Sequence, residues 1–333
     1  MRSKDYYWFR LFSANGFGAK SIHYIYKQLR ENKMNLDELF RLTIDQLEKY
    51  FPEIGRGKFS RANLTVLLNE DDEQFYNQYQ KLKEDKVQLV TLDDERYPNS
   101  VLENLLDSAP PLLFCKGYLQ LLNAQGISIV GSRDVDDFAV MLTKSIASKL
   151  AEHGYNVTSG YAKGVDTSAH LGALEAGGTT TMILSFGINH ISIRKEIKSY
   201  DWEKTALFVS QFAPYDKFSG QNAMVRNKLV CAMSRAIVVI ASGPEKDSDG
   251  KLSGTFDAGK SALKMNIPVF VLNPEILKPI PQGNIDLINM GGIPFSNGND
   301  IITILEERPQ QLNVPTEDNS KKSPISVQIS FDF

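Results

Sequence analysis

The stretch "ISIVGSRDVDDFAVMLTKSIASKLAEHGYNVTSGYAKGVDTSAHLGALEAGG", residues 127–178, decides the fold. It holds two rounds of one pattern. "ISIV" is a short apolar run that stops at a Gly-Ser turn, and "DVDDFAVMLTKSIASKLAEHG" follows with apolar residues at helical spacing. "YNVTSG" is a second apolar run, and "DTSAHLGALEAGG" a second helix. Strands read as continuous apolar runs when both faces of their sheet are covered, and the helix between them is the crossover a parallel pair needs.

Downstream, "TTMILSFG", "ALFVSQF", "AIVVIAS" and "PVFVLNP" continue the strand series, with "MVRNKLVCAMS" and "TFDAGKSALKMN" as helices between them. The expectation is an α/β protein, with a Rossmann-like, doubly wound, mostly parallel sheet over residues 85–307. Just before it, "VQLVTLDDERYPNSVLENL" and "PPLLFCKGYLQLL" predict two short strands flanking a Tyr97-Pro98 turn. Residues 1–84 read as a small all-α domain, in which Leu11, Ile22, Ile25 and Leu29 recur at helical spacing. Residues 308–333 open with proline and polar residues and are expected to form a flexible tail.

Charged residues make up 23% and hydrophobic residues 42%, a globular profile. The net charge of −3 gives no global field toward nucleic acid or anionic lipid, so any nucleic-acid site has to be a local patch. Cys115 and Cys231 are the only cysteines, which suits a reducing cytoplasm, and no Cys or His cluster has metal-ligand spacing. No signal peptide and no membrane span are expected.

Ligands of a doubly wound sheet sit outside the carboxyl ends of its strands. Four small-residue elements converge there: Gly131-Ser132-Arg133, then Ser159-Gly160 with Lys163, then Arg226-Asn227-Lys228, then Ser253-Gly254-Thr255. Glycine admits close approach, free N–H groups cradle an anion, and the basic side chains add charge. Each turn alone is also an ordinary strand-to-helix connection. No G-x-G-x-x-G and no Walker lysine is present, so neither NAD nor ATP chemistry is expected, and no cofactor. Asp166 is placed to cap the helix that follows, with His170 on the same face four residues on. The pair reads as a brace for the turn, with catalysis as the alternative.

The segments "ISIVGSRDVDDFA", "VTSGYAKGVDTSAHLGALEAGGTT", "VRNKLVCAMSRAIVVI", "SGTFDAGKSAL" and "PQGNIDLINMGGIPF" stand in the order and approximate spacing of the DNA-processing protein A (DprA/Smf) family. The resemblance runs from Gly16 to Glu307. It implies a cytoplasmic homodimer that binds single-stranded DNA and helps load a RecA-type recombinase in natural transformation or related recombination, with no enzymatic turnover. On this chain Gly131, Ser132, Arg133, Ser159, Gly160 and Lys163 would form the phosphate pocket, with Arg226 and Lys228 near it. The chain departs from the family at Lys163 and Lys228, where arginine is common, and in "GINHISIRKEI", which lacks a usual Tyr-Pro. It also carries an added loop, "GPEKDSDGKL", and is expected to be a divergent member lacking the winged-helix domain that ends many relatives.

"NGFGAKS" and "EIGRGKFS" resemble the hairpins of helix-hairpin-helix DNA-binding units, or else Gly16 and Gly18 simply end a helix. The alternative function is a nucleotide-binding sensor or phosphoribohydrolase-like protein of the same broad fold. Such hydrolases tend to carry a glutamate where "LSGTFDAG" has Ala258. The final "QISFDF" places Gln328 before spaced Ile329, Phe331 and Phe333, resembling peptides that dock on a bacterial sliding clamp. The competing reading is an edge strand or a packing segment of the chain itself.

Overall fold

The computed structural model describes residues 2–14, 16–51, 65, 67–68 and 72–307. "EIGRGKFS" and the tail with Gln328, Ile329, Phe331 and Phe333 lie outside the described residues. The chain opens with helices α1 (Lys4–Ser13), α2 (Ala19–Glu31), α3 (Leu36–Leu39), α4 (Ile44–Tyr50) and α5 (Asp72–Glu84). Ser3 caps α1 by accepting from Tyr6 N, and Thr43 caps α4 while Gln46 reaches back to it. Gly16, at φ 88°, supplies the left-handed residue that turns the chain between α1 and α2.

Then follow β1 (Gln88–Thr91), α6 (Asn99–Leu105), β2 (Leu112–Gly117), β3 (Gly126–Val130), α7 (Asp137–Glu152), β4 (Asn156–Ser159), α8 (Val165–Glu175) and β5 (Thr180–Ile183). The chain continues through α9 (Lys195–Lys198), α10 (Trp202–Thr205), β6 (Ala206–Ser210), α11 (Gly220–Ala232), β7 (Ala236–Val239), α12 (Gly254–Lys264) and β8 (Val269–Leu272). It closes with α13 (Gln282–Asn289), β9 (Ile293–Phe295) and α14 (Gly298–Ile302). The two strands expected around Tyr97-Pro98 are β1 and β2, but Pro98 opens the helix α6 between them, its ring fixing φ at −65°.

Among the described residues, one nine-stranded sheet runs in the order β1-β2-β6-β5-β4-β3-β7-β8-β9. β1 pairs with β2, and β2 with β6, antiparallel; every other pair is parallel. The chain is α/β and doubly wound. Along β7, Ile237 and Val239 enter one core with Cys231 and Phe256, while Ala236 and Val238 enter another with Ile127 and Val157. Both faces are therefore dry, which is why this strand is apolar at every position. Tyr6 and Phe9 of α1 share a core with Phe114 of β2 and Phe208 of β6, so the helical segment packs directly on the antiparallel end of the sheet. A second helical core gathers Trp8, Leu11, Ile22, Ile25 and Leu47. Among the described residues no helix is long and apolar enough to cross a membrane.

Candidate functional site

The winding reverses between β3 and β7. From β3 the chain steps outward through β4 and β5 to β6, then returns beside β3 as β7 and steps the other way. Outside the carboxyl ends at such a point the two connections diverge and leave a crevice. Ser132 N donates to Ala241 O at 2.9 Å, joining the two ends that flank it. Val165 N, at the start of α8, donates to Ser132 O at 3.3 Å. Gly164, at φ 71°, makes this contact possible: a Cβ there would lie 2.6 Å from Ser132 O.

The floor is an arginine. A Cβ on Gly160 would lie 1.6 Å from Arg226 Nη1, so the guanidinium occupies the space that only glycine leaves open. Arg226 is buried, with Nη1 3.8 Å from Asp166 Oδ2 and its Nε without a partner among the described residues. Burial pulls the Arg226 pKa down, Asp166 holds it up, and nearby Arg133 adds a smaller repulsion. Asp166 Oδ2 also accepts from Ala162 N at 3.2 Å. Asp166 is not the cap expected of it. Gly164 holds the N-cap position of α8, and Asp166 sits inside the first turn, where it ties down its own loop and the arginine.

His170 is fully buried, with Nε2 2.6 Å from Gly160 O and Nδ1 2.6 Å from Thr180 Oγ1. A carbonyl only accepts, so Nε2 carries a proton and donates to Gly160 O, while Nδ1 lies against the Thr180 hydroxyl, which itself donates to Val157 O at 2.6 Å. Burial lowers its pKa to about 4, only partly countered by the bond to Gly160, so the ring is neutral at pH 7. A neutral imidazole with both nitrogens engaged by the fold braces the β4–α8 turn.

The remaining candidates divide. Arg133 and Lys163 are exposed at the rim, and Arg133 lies 5.5 Å from the Phe218 ring centroid. Ser132 Oγ closes its own turn, donating to Asp134 O and accepting from Asp134 N. Ser159 was expected among the anion contacts, but its buried hydroxyl donates to Ile129 O at 2.6 Å, because it points along the sheet toward β3. Asn227 Nδ2 donates to Gly254 O at 2.9 Å and thereby fastens α11 to α12. Ser253 caps α12 by accepting from Phe256 N at 3.2 Å, and Gly254 and Thr255 form its first turn. Lys228 stands two residues after Arg226, on the other side of α11. There it is the strongest influence opposing the burial that raises the Asp257 pKa. The structure thus gathers Gly131, Ser132, Arg133, Gly160, Lys163 and Arg226, and turns Ser159, Asn227, Ser253 and Lys228 to other tasks.

Two residues went unnoticed in the sequence. Arg194 packs over the Tyr161 ring at 4.4 Å from its centroid and donates to Tyr161 O at 3.0 Å and Ala162 O at 3.1 Å. It clamps the loop that carries Lys163. Asn284 is buried and accepts from Ser242 N while donating to Ile240 O and Leu272 O, all at 2.9 Å, binding the ends of β7 and β8 together. Both act on chain ends far away in sequence, so no local spacing marks them. Among the described residues no group of three metal-ligating side chains occurs.

Residues 88–306 match the family of DNA recombination-mediator protein A. The DNA processing protein DprA of Bacillus subtilis is 26% identical over 254 residues, which cover 74% of this chain and 82% of that protein. The X-ray structure of DprA from Streptococcus pneumoniae superposes with a TM-score of 0.70 at 24% identity, over 91% of this chain and 98% of that one. DNA processing protein A from Helicobacter pylori, studied for its single-stranded DNA binding mode, matches with a TM-score of 0.54 at 25% identity, over 66% of this chain and 96% of that one.

Proposed function

This chain belongs to the DNA recombination-mediator protein A family, and from that premise we propose that it binds single-stranded DNA through the crevice between β3 and β7. The observation that carries the reading is the basic group there in a protein of net charge −3: rim residues Arg133 and Lys163 over the buried Arg226, whose Nε has no partner among the described residues. Backbone N–H groups and cationic side chains position phosphate without reading sequence, so recognition follows strand flexibility rather than base order. The family match and the Helicobacter relative support DNA as the ligand.

The function of this binding, in our reading, is to hand a RecA-type recombinase its strand during DNA processing, with the protein acting as a homodimer and without chemical turnover. Ala258, buried in α12, offers no carboxylate where nucleotide hydrolases of related fold carry one. Release of base from nucleoside monophosphates by the purified protein would sink that part. Gln328, Ile329, Phe331 and Phe333 are proposed to engage a sliding clamp, tested by clamp pull-down with the full chain and with a chain ending at Pro324. The main test is fluorescence anisotropy with matched single-stranded and duplex oligonucleotides. Tighter single-strand binding, weakening with salt at about −0.7 in log–log slope per phosphate neutralised, is expected. Equal affinity for duplex, or none for either, would overturn the assignment.

A further inference from the structure

Beside Arg133 stands an exposed aromatic side chain, Phe218, and other large apolar side chains are exposed at the start of α7. Phe218, just before α11, is 53% exposed, and Phe138 and Met141, in the first turns of α7, are 49% and 63% exposed. An exposed aromatic ring beside a cationic side chain offers its π-face to a planar group. Phe218 lies within cation–π range of Arg133. Phe138 follows Arg133 by five residues, across the turn closed by Ser132 and the Asp136 cap of α7.

We propose that Phe218 is a stacking platform for a nucleobase, with Phe138 as a second, so that one nucleotide is held at both ends: its phosphate by Arg133 and its base by the Phe218 ring. This rests on the single-stranded DNA reading above. The occupant follows from continuity with the cradle. A chain of phosphates entering between Arg133 and Lys163 carries its unpaired bases outward past those rings, and every base has a π-face to offer. A duplex keeps its bases stacked on each other, so these rings favour single strands and contribute little to duplex binding.

The test uses the full-length protein, a thymidine oligonucleotide, and an abasic oligonucleotide of equal length. Phe218→Ala is expected to weaken binding of the thymidine strand by about 5- to 150-fold, the range of one lost base–aromatic stack. Binding of the abasic strand and the salt slope should stay as in the unmodified protein, and Phe218→Trp should restore the thymidine affinity. Equal losses on both strands would mean that the ring merely positions Arg133, and no loss on either would mean that it touches nothing; each overturns the proposal. If the unmodified protein binds neither strand, the parent reading falls first and this one with it.

Discussion

His170 offers a test of the site's architecture that needs no DNA. The unfolded ring titrates near 6.5, whereas burial between Gly160 O and Thr180 Oγ1 lowers the folded value to about 4. The unfolded chain therefore takes up a proton that the native ring refuses, and this contribution to stability is full above about pH 6.5 and shrinks as pH falls toward 4. Each unit of difference corresponds to about 1.4 kcal/mol, so the loss reaches about 2 kcal/mol by pH 5 and about 3 kcal/mol below pH 4. The perturbation is His170→Gln, which keeps a hydrogen-bonding side chain and does not titrate. Urea unfolding of both proteins from pH 7.5 to 4.5 gives the difference in stability at each pH. The His170 protein is expected to be the more stable at pH 7.5, with its advantage shrinking by about 2 kcal/mol by pH 5. A difference that stays constant across this range would refute the neutral, buried imidazole and the brace built on it.

Gly160→Ala places a methyl group 1.6 Å from Arg226 Nη1 and 2.4 Å from Asp166 Oδ2, so the guanidinium has to leave its seat. Parting the buried pair should cost on the order of 3 kcal/mol in urea unfolding, and single-strand affinity should fall with it. Arg133→Ala should flatten the salt slope of single-strand binding by about 0.7 while leaving the thermal midpoint unchanged, as read by anisotropy and calorimetry. Lys228→Ala, on the α12 side of α11, should leave that affinity within about twofold, whereas Lys163→Ala should reduce it several-fold, because one phosphate is then left without its cation. Asn284→Ala strands Ser242 N, Ile240 O and Leu272 O and should lower stability by about 2–4 kcal/mol, measurable by urea unfolding at pH 7.

The alternation of strand and helix was legible in the sequence because a parallel sheet covered on both faces requires unbroken apolar runs, as in "AIVV" of β7, and a long crossover after each. The small-residue turns at Gly131, Gly160 and Gly164 were legible too, since only glycine admits the backbone and side-chain approaches made there. The uses of the polar atoms at those turns were not. Ser159 and Ser132 look alike in the chain, but the first faces the neighbouring strand and the second its own turn. Arg226 and Lys228 look like one basic pair, but a helix sets residues two apart on opposite sides, one over Gly160 and one toward Asp257. Arg194 and Asn284 gain their roles from strands and loops that arrive from dozens of residues away. Local sequence determines periodicity and turn chemistry, because those depend on neighbours along the chain. Pairing a hydrogen-bonding group with its partner depends on neighbours in space, and only the closed sheet decides those.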